Sequence, residues 1–300
     1  ILLSFIYIII NIFNDKYFFI LLITIPTILI FYKFIHLVLP KNIYINYFYI
    51  IGLSYLVLKL IHYIFVSHNK MIGSTSLFSF LNYLLFFPVF SSGPITLYQG
   101  FVNEIEKNLN INQSFHYFTK GVKRIILGLF KIYFLSQYTS LFSFFRLDSH
   151  HLIDAPIYLL IIYAHVAVLD LYLNFSGYCD LATGISNLFL IDIPENFNYP
   201  FIARNLHVFW QRWHITLADW LKVYVFMPTS KKMFGSNYLS DKIYVVQPIA
   251  IFITFFLMGI WHGLELNYLI YGLFQGFGLF VVMFFDFALK SKKMYQRYHS

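Results

Sequence analysis

The sequence predicts an all-α, polytopic membrane protein, and three observations carry that expectation. Of its 300 residues, 59% are hydrophobic and only 11% are charged. A soluble chain carries about a quarter charged residues, so this one could not cover a water-facing surface. Mean hydropathy is +0.69, and 37 Phe with 25 Tyr supply material for aromatic girdles at the lipid interfaces. Finally, apolar runs near the roughly 20 residues that a helix needs to cross a bilayer recur along the whole chain. Two soluble domains of about 150 residues each, the default for this length, are thereby excluded.

The predicted spans, in order, are Tyr17–Leu39, Ile43–Val66, Leu77–Tyr98, Ile125–Phe145, Ala155–Phe175, Tyr244–Trp261 and Leu264–Leu289. Ser176–Ile193 is a weaker eighth, interrupted by Gly177, Asp180 and Gly184. No internal repeat or low-complexity linker divides them, so one membrane domain over residues 1–300 is the economical organisation. The chain opens at Ile1, within an apolar run and without Met. That run reads as a cut inside a span, and the chain as a fragment truncated at its N-terminus and open to truncation at its C-terminus. Of the basic clusters at Lys107–Arg124, Lys222–Lys242 and Lys290–Arg297, the second and third are two spans apart, so they lie on one side and are assigned to the cytoplasm under the positive-inside rule. The formal net charge of +8 is thus assigned to topology, with membrane lipids as surroundings and no nucleic-acid partner. Cys179, the single cysteine, excludes an internal disulfide framework.

Two segments depart from plain spans. Phe86–Gln99 carries Pro88, Gly93 and Pro94, which remove amide donors and permit unusual backbone angles. It reads equally well as a re-entrant break or as a proline-kinked helix. In Asn205–Pro228, Leu206, Trp210, Trp213, Leu217, Leu221 and Tyr224 recur at helical spacing, opposite a polar line of His207, Gln211 and His214. That pattern predicts one amphipathic helix at the interface or around a polar cavity, capped by Asn205 and closed by Pro228.

Ionisable groups in such a body are functional candidates. His262 stands between two apolar runs, with Glu265 three residues on and on the same face if the helix continues. Its imidazole suits a general base at neutral pH, against the plain alternative of a buried histidine bonded to a carbonyl. His214 lies beside Arg212 and between two tryptophans, on the polar line of the amphipathic pattern; the plain alternative there is an interfacial histidine bonded to water. The spacing His-x4-Asp occurs twice, at His214…Asp219 and His165…Asp170. Five helical residues turn such partners about 140° apart, so it is set aside. Asp148, His150, His151 and Asp154 cluster in a loop, which reads as a solvated loop, and no metal site is assigned. Phosphate-loop, dinucleotide-binding and nucleophile-elbow motifs do not occur. A transporter using His165, Asp170 and Asp180 as an ion path is the reading from another class, without the internal symmetry that such proteins show.

Four ordered blocks go further. They are Asn174-Phe-Ser-Gly-Tyr-Cys-Asp-Leu-Ala182, Pro194-Glu-Asn-Phe-Asn198, Phe209-Trp-Gln-Arg-Trp-His-Ile-Thr-Leu217 and Gly259-Ile-Trp-His-Gly263, preceded by Phe87-Pro-Val-Phe-Ser-Ser-Gly-Pro-Ile95. Together they resemble the membrane-bound O-acyltransferase (MBOAT) family, in the bacterial branch of alginate O-acetylases and D-alanyl transfer proteins. The 48 residues from His214 to His262 (262 − 214) match the spacing of that family's two histidines. The resemblance implies a funnel-shaped helical body with a tunnel, including re-entrant and interfacial helices, in a bacterial cytoplasmic membrane.

By the same resemblance His262 and His214 are the catalytic pair. We take Arg212, Trp210, Trp213, Trp261 and Asn205, their neighbours in these blocks, as candidate substrate-binding residues. No bound cofactor is expected. The co-substrate implied is an acyl thioester, either acetyl-CoA or an acyl carrier protein, and the acceptor a hydroxyl of an exported polysaccharide or envelope glycan. An extracytoplasmic acyl-handling partner protein is implied by analogy alone. The leading reading is O-acetyl transfer, with D-alanyl transfer to teichoic acid as its alternative. The chain departs from the family pattern at Val223, where relatives carry aspartate, and at Leu264-Glu265-Leu266.

Overall fold

The computed structural model describes residues 2–39, 52–142, 155–236, 238–240 and 242–291. These residues are helical and contain no strand; their single β-type pairing is an isolated antiparallel bridge between Phe197 and Trp213. The helices are α1 (Leu2–Val38), α2 (Leu53–His68), α3 (Leu77–Leu85), α4 (Tyr98–Glu106), α5 (Ile111–Phe130) and α6 (Ile157–Leu188). They continue with α7 (Leu206–Trp210), α8 (Ile215–Leu221), α9 (Met227–Phe234), α10 (Ile243–His262) and α11 (Leu266–Ser291). A π-helical stretch, Lys131–Ser136, and a short α-helical turn, Gln137–Ser140, extend α5, and another π-helical stretch, Lys222–Phe226, joins α8 to α9. Among the described residues four helical stretches are long and apolar enough to cross a membrane: Tyr17–Val38, Ile157–Leu188, Ile243–His262 and Leu266–Phe287.

The chain divides into two compact units, Ile1–Phe19 with Leu58–Asn196, and Ile20–Val57 with Phe197–Ser300. In the first, α5 and α6 pack through paired glycines. A Cβ on Gly121 would lie 2.8 Å from the Gly184 carbonyl oxygen, and one on Gly128 would lie 2.7 Å from that of Gly177. Backbones this close require the absence of side chains, the same economy that small residues bring to membrane helix pairs. Next to this seam Asp180 pairs with Arg124 and with Lys131, each at 2.6 Å. These contacts explain why Ala155–Phe175 and Ser176–Ile193 are not two spans. The glycines that seemed to interrupt the pattern are the packing surface, the aspartate is neutralised, and one 32-residue helix runs through both.

Leu77–Tyr98 differs in the opposite sense, because no single helix covers it. After α3 the backbone makes a 3-10 turn over Phe87–Val89 and is then non-helical as far as Leu97. Gly93 sits at φ +117, open to glycine and strained for other residues. The proline-kinked helix is therefore ruled out. The opened strand of chain is held by polar groups of its own unit: Tyr83 OH donates to the Thr96 carbonyl at 3.1 Å and the Tyr98 N–H to His62 Nε2 at 2.9 Å. Buried Lys59 donates to the Tyr83 carbonyl at 3.1 Å.

Charge pairing also organises the Lys107–Arg124 cluster. Lys107 pairs with Glu104, Lys120 with Asp192 at 2.9 Å, and Arg124 with Glu195 as well as Asp180. The acids and histidine set aside for an ion path have local partners too. Asp170 accepts from Ser136 at 2.7 Å and Thr139 at 3.1 Å, and His165 Nδ1 lies 2.7 Å from the Ile161 carbonyl. The loop of Asp148, His150, His151 and Asp154 lies outside the described residues.

In the second unit α10 and α11 form an antiparallel pair turning at Gly263–Glu265. Their closest approach is again between glycines: a Cβ on Gly259 would lie 2.6 Å from the Tyr268 carbonyl oxygen and 2.9 Å from Gly272 Cα. Trp210 of α7 packs edge-on against Phe255 of α10, with ring centroids 4.8 Å apart.

Candidate active site

The expected amphipathic helix over Asn205–Pro228 is broken in the middle, and the break is the informative feature. Asn205 caps α7 as its sequence position predicts, its Oδ1 accepting from the Val208 N–H at 2.8 Å. The helix stops at Trp210, and residues 211–214 turn out of it. His214 adopts a left-handed backbone, φ 47 and ψ 51, at the head of α8. For a residue with a Cβ that conformation costs about 1–2 kcal/mol and is found where surrounding structure enforces it. Enforcement is visible on its N-terminal side. The Asn198 N–H donates to the Arg212 carbonyl at 3.0 Å, and Trp213 stacks on Phe209 at 5.5 Å and meets Phe197 edge-on at 5.2 Å. Pro228 does not close the pattern; it falls in the first turn of α9, where its missing N–H is no loss.

The break changes the setting of His214. It is no longer one of a solvated polar line but is buried, with 6% of its surface exposed. Burial first, and the nearby His262 second, push its pKa down to about 3. The imidazole is therefore neutral throughout the physiological range, able to accept or donate a hydrogen bond. That burial speaks against an interfacial histidine open to solvent.

His262 is the last residue of α10. The helix does not continue to Glu265: Gly263 is extended, at φ −175 and ψ 168, and Glu265 faces His36 with 3.6 Å between carboxylate oxygen and Nδ1. Around the imidazole stand Trp261 edge-on at 4.9 Å, Tyr268 parallel at 6.2 Å and Tyr271 edge-on at 6.0 Å. Lys33, from α1, donates to the His262 backbone carbonyl at 3.0 Å. A cation there meets one of the carbonyls left unpaired at a helix end and complements the helix dipole. Sequence reasoning missed Lys33, Tyr268 and Tyr271. Lys33 had a readable signal, being the one Lys, Arg, Asp or Glu in the run Tyr17–Val38; the tyrosines, among 25, had none.

Of the other expected residues, Trp210 and Trp261 have buried indole N–H groups without a partner among the described residues. Trp213 is one of a cluster of rings with Phe197, Phe201 and Phe209. Asn205 spends its acceptor on the cap, and Arg212 is partly exposed. Val223 is 43% exposed, so the aspartate it replaces would stand at the surface. Among the described residues no three of His, Cys, Asp and Glu gather as metal ligands.

This unit therefore joins a neutral, strained histidine to a second histidine held at a helix end. Comparison with known proteins decides the family, since the match to the membrane-bound O-acyltransferase family covers residues 8–300. The chain belongs to that family. Among curated MBOAT relatives, it is 32% identical to a teichoic acid D-alanyltransferase of Bacillus subtilis over 79% of its own length and 59% of that protein's. It is 34% identical to a peptidoglycan O-acetyltransferase of Helicobacter pylori, over 69% of this chain and 38% of the relative. With a probable alginate O-acetylase of Pseudomonas syringae it shares 28% identity, over 76% and 42%. This MBOAT chain thus spans less than two thirds of the length of each of these relatives.

Proposed function

We propose that this protein transfers an acyl group from a cytosolic thioester to hydroxyls of an exported polysaccharide or cell-envelope glycan, with acetyl as the group, in a bacterial cytoplasmic membrane. The observation that carries this reading is the family match over residues 8–300, within which the blocks bearing His214 and His262 both fall in the second unit. In the proposed step the acceptor oxygen attacks the thioester carbonyl carbon. His262 takes the hydroxyl proton as the C–O bond forms, and gives it to the departing thiolate as the C–S bond breaks. Such proton transfer contributes about 10²–10⁴-fold. Neutral His214 and the partnerless N–H of Trp261 are the groups to orient the acceptor and to steady the charge developing on the carbonyl oxygen. Acetyl-CoA or an acyl carrier protein would supply the thioester, and an extracytoplasmic protein could take part in handling the acyl group.

D-alanyl transfer to teichoic acid is supported equally, because two D-alanyltransferases match 79% and 81% of the chain. The two readings share the histidine chemistry and differ in the group moved. Mild base releases the ester-bound group from envelope glycans of cells with and without the protein. Protein-dependent acetate supports the first reading and protein-dependent alanine the second; the absence of any protein-dependent ester contradicts both.

A further inference from the structure

The turn between the Phe197–Trp213 bridge and α7 holds large apolar side chains outward. Tyr199, Phe201 and Ile202 are 73%, 50% and 70% exposed, and they fall within one short segment that ends in a 3-10 turn, Pro200–Ile202. The turn is built rather than loose. Tyr199 has a left-handed backbone, φ 46 and ψ 61, which is strained for a residue with a Cβ. Just before it the Asn198 N–H donates to the Arg212 carbonyl at 3.0 Å, and just after it the Ala203 N–H donates to the Pro200 carbonyl at 3.1 Å. Phe201 is seated from inside by Phe209 and Trp213, with ring centroids 6.4 and 6.3 Å away. Exposed apolar residues scattered singly are ordinary, but three on one braced turn mark a contact surface.

Charge and position name what covers it. From Phe197 to Ala218 the chain carries Arg204 and Arg212 and no Asp or Glu. Arg204 is exposed and Arg212 partly so, and neither joins an ion pair among the described residues. The Asn198–Arg212 bond brings the Arg212 backbone alongside the start of the turn, and Arg204 follows shortly after Ile202. Among the described residues no stretch between this turn and the Lys222–Lys242 cluster is long and apolar enough to cross a membrane. The turn therefore shares the side that the positive-inside rule makes cytoplasmic. That face of the bilayer carries anionic headgroups, and one arginine near it strengthens binding about fivefold. Apolar side chains projecting beside unpaired arginines fit the boundary between headgroups and acyl chains, where rings settle and guanidiniums meet phosphates.

We propose that the Tyr199–Ile202 turn, with Arg204 and Arg212, is a docking site for anionic phospholipid headgroups of the cytoplasmic leaflet. Cys179 is buried, so Ile202→Cys supplies the accessible thiol for an environment-sensitive dye. The labelled full chain is reconstituted in phosphatidylcholine vesicles with rising phosphatidylglycerol content. As phosphatidylglycerol rises, the dye emission should shift to the blue and become quenchable by lipids that carry a nitroxide near the headgroup. Adding Arg204→Gln should move the midpoint to about fivefold more phosphatidylglycerol, and Arg212→Gln on top should move it further. Arg204→Lys keeps the charge and should keep the response. In unlabelled protein phosphatidylglycerol should raise Tm, as a ligand of the folded state does, and Arg204→Gln should shrink that rise. A dye that aqueous iodide quenches equally at every phosphatidylglycerol content overturns the proposal. So does a dye in lipid that ignores both phosphatidylglycerol and Arg204→Gln. An equal response to a soluble polyglycerol phosphate in pure phosphatidylcholine vesicles also overturns it, in favour of a polymer's phosphates. None of these readouts involves turnover, so the docking site can fail while acyl transfer stands, and the reverse.

Discussion

His214 concentrates the physical tension of the site. Its left-handed backbone suits glycine or asparagine better than a ring-bearing side chain, and its burial suits a neutral group. His214→Asn should therefore keep the fold, with an apparent Tm at or slightly above the wild-type value, while transfer falls by about 10²-fold or more; circular dichroism, thermal melts and a transfer assay check both halves. The same residue predicts a pH signature in stability. With the folded pKa at about 3 and the free value near 6.5, the unfolded chain binds more protons between those limits. Its contribution is present above about pH 6.5 and is lost as pH falls toward 3, at up to roughly 1.4 kcal/mol per pH unit. Melts of His214→Asn should show a shallower acid-side decline than the wild type. Lys33 acts through its neighbour: by holding the His262 carbonyl it fixes where α10 ends. Lys33→Met should lower kcat roughly ten- to a hundredfold with KM for the acceptor little changed, and an unaltered kcat would remove Lys33 from the site.

At the scale of elements, what was legible depended on whether local pattern or long-range pairing decided the outcome. The apolar runs around Tyr17–Val38, Ile243–His262 and Leu266–Phe287 were readable because length and hydropathy alone make them helices. The unity of α6 was not, because Gly177, Asp180 and Gly184 look like interruptions until Gly128, Arg124 and Gly121 stand opposite them. Nor was the break before His214, because the stripe from Leu206 to Tyr224 keeps helical spacing across four residues that are not helical. The Phe86–Gln99 segment was half legible: its prolines and Gly93 announced irregular backbone, but only the Tyr83, His62 and Lys59 bonds settle which kind. The α5–α6 seam makes a prediction of its own. Gly184→Ala puts a Cβ 2.8 Å from the Gly121 carbonyl oxygen, and overpacking of that kind costs about 1–3 kcal/mol. A fall in Tm, larger than that of Gly100→Ala where nothing lies within 4 Å, is the expected result.

For the whole molecule, composition established the membrane class and could say nothing about chemistry. The ordered blocks around His214 and His262 supplied the family, which the match over residues 8–300 bears out. Identity of about a third to both a D-alanyltransferase and an O-acetyltransferase leaves the cargo to experiment. The claim on which everything else depends is that His262 moves the proton. In cells expressing the full-length protein, base-releasable acetate and D-alanine on envelope glycans are measured for wild type and His262→Ala at matched protein level and Tm. A drop of 10²-fold or more, to the level of cells without the protein, is the predicted result; esters at the wild-type level on a folded His262→Ala protein would contradict it.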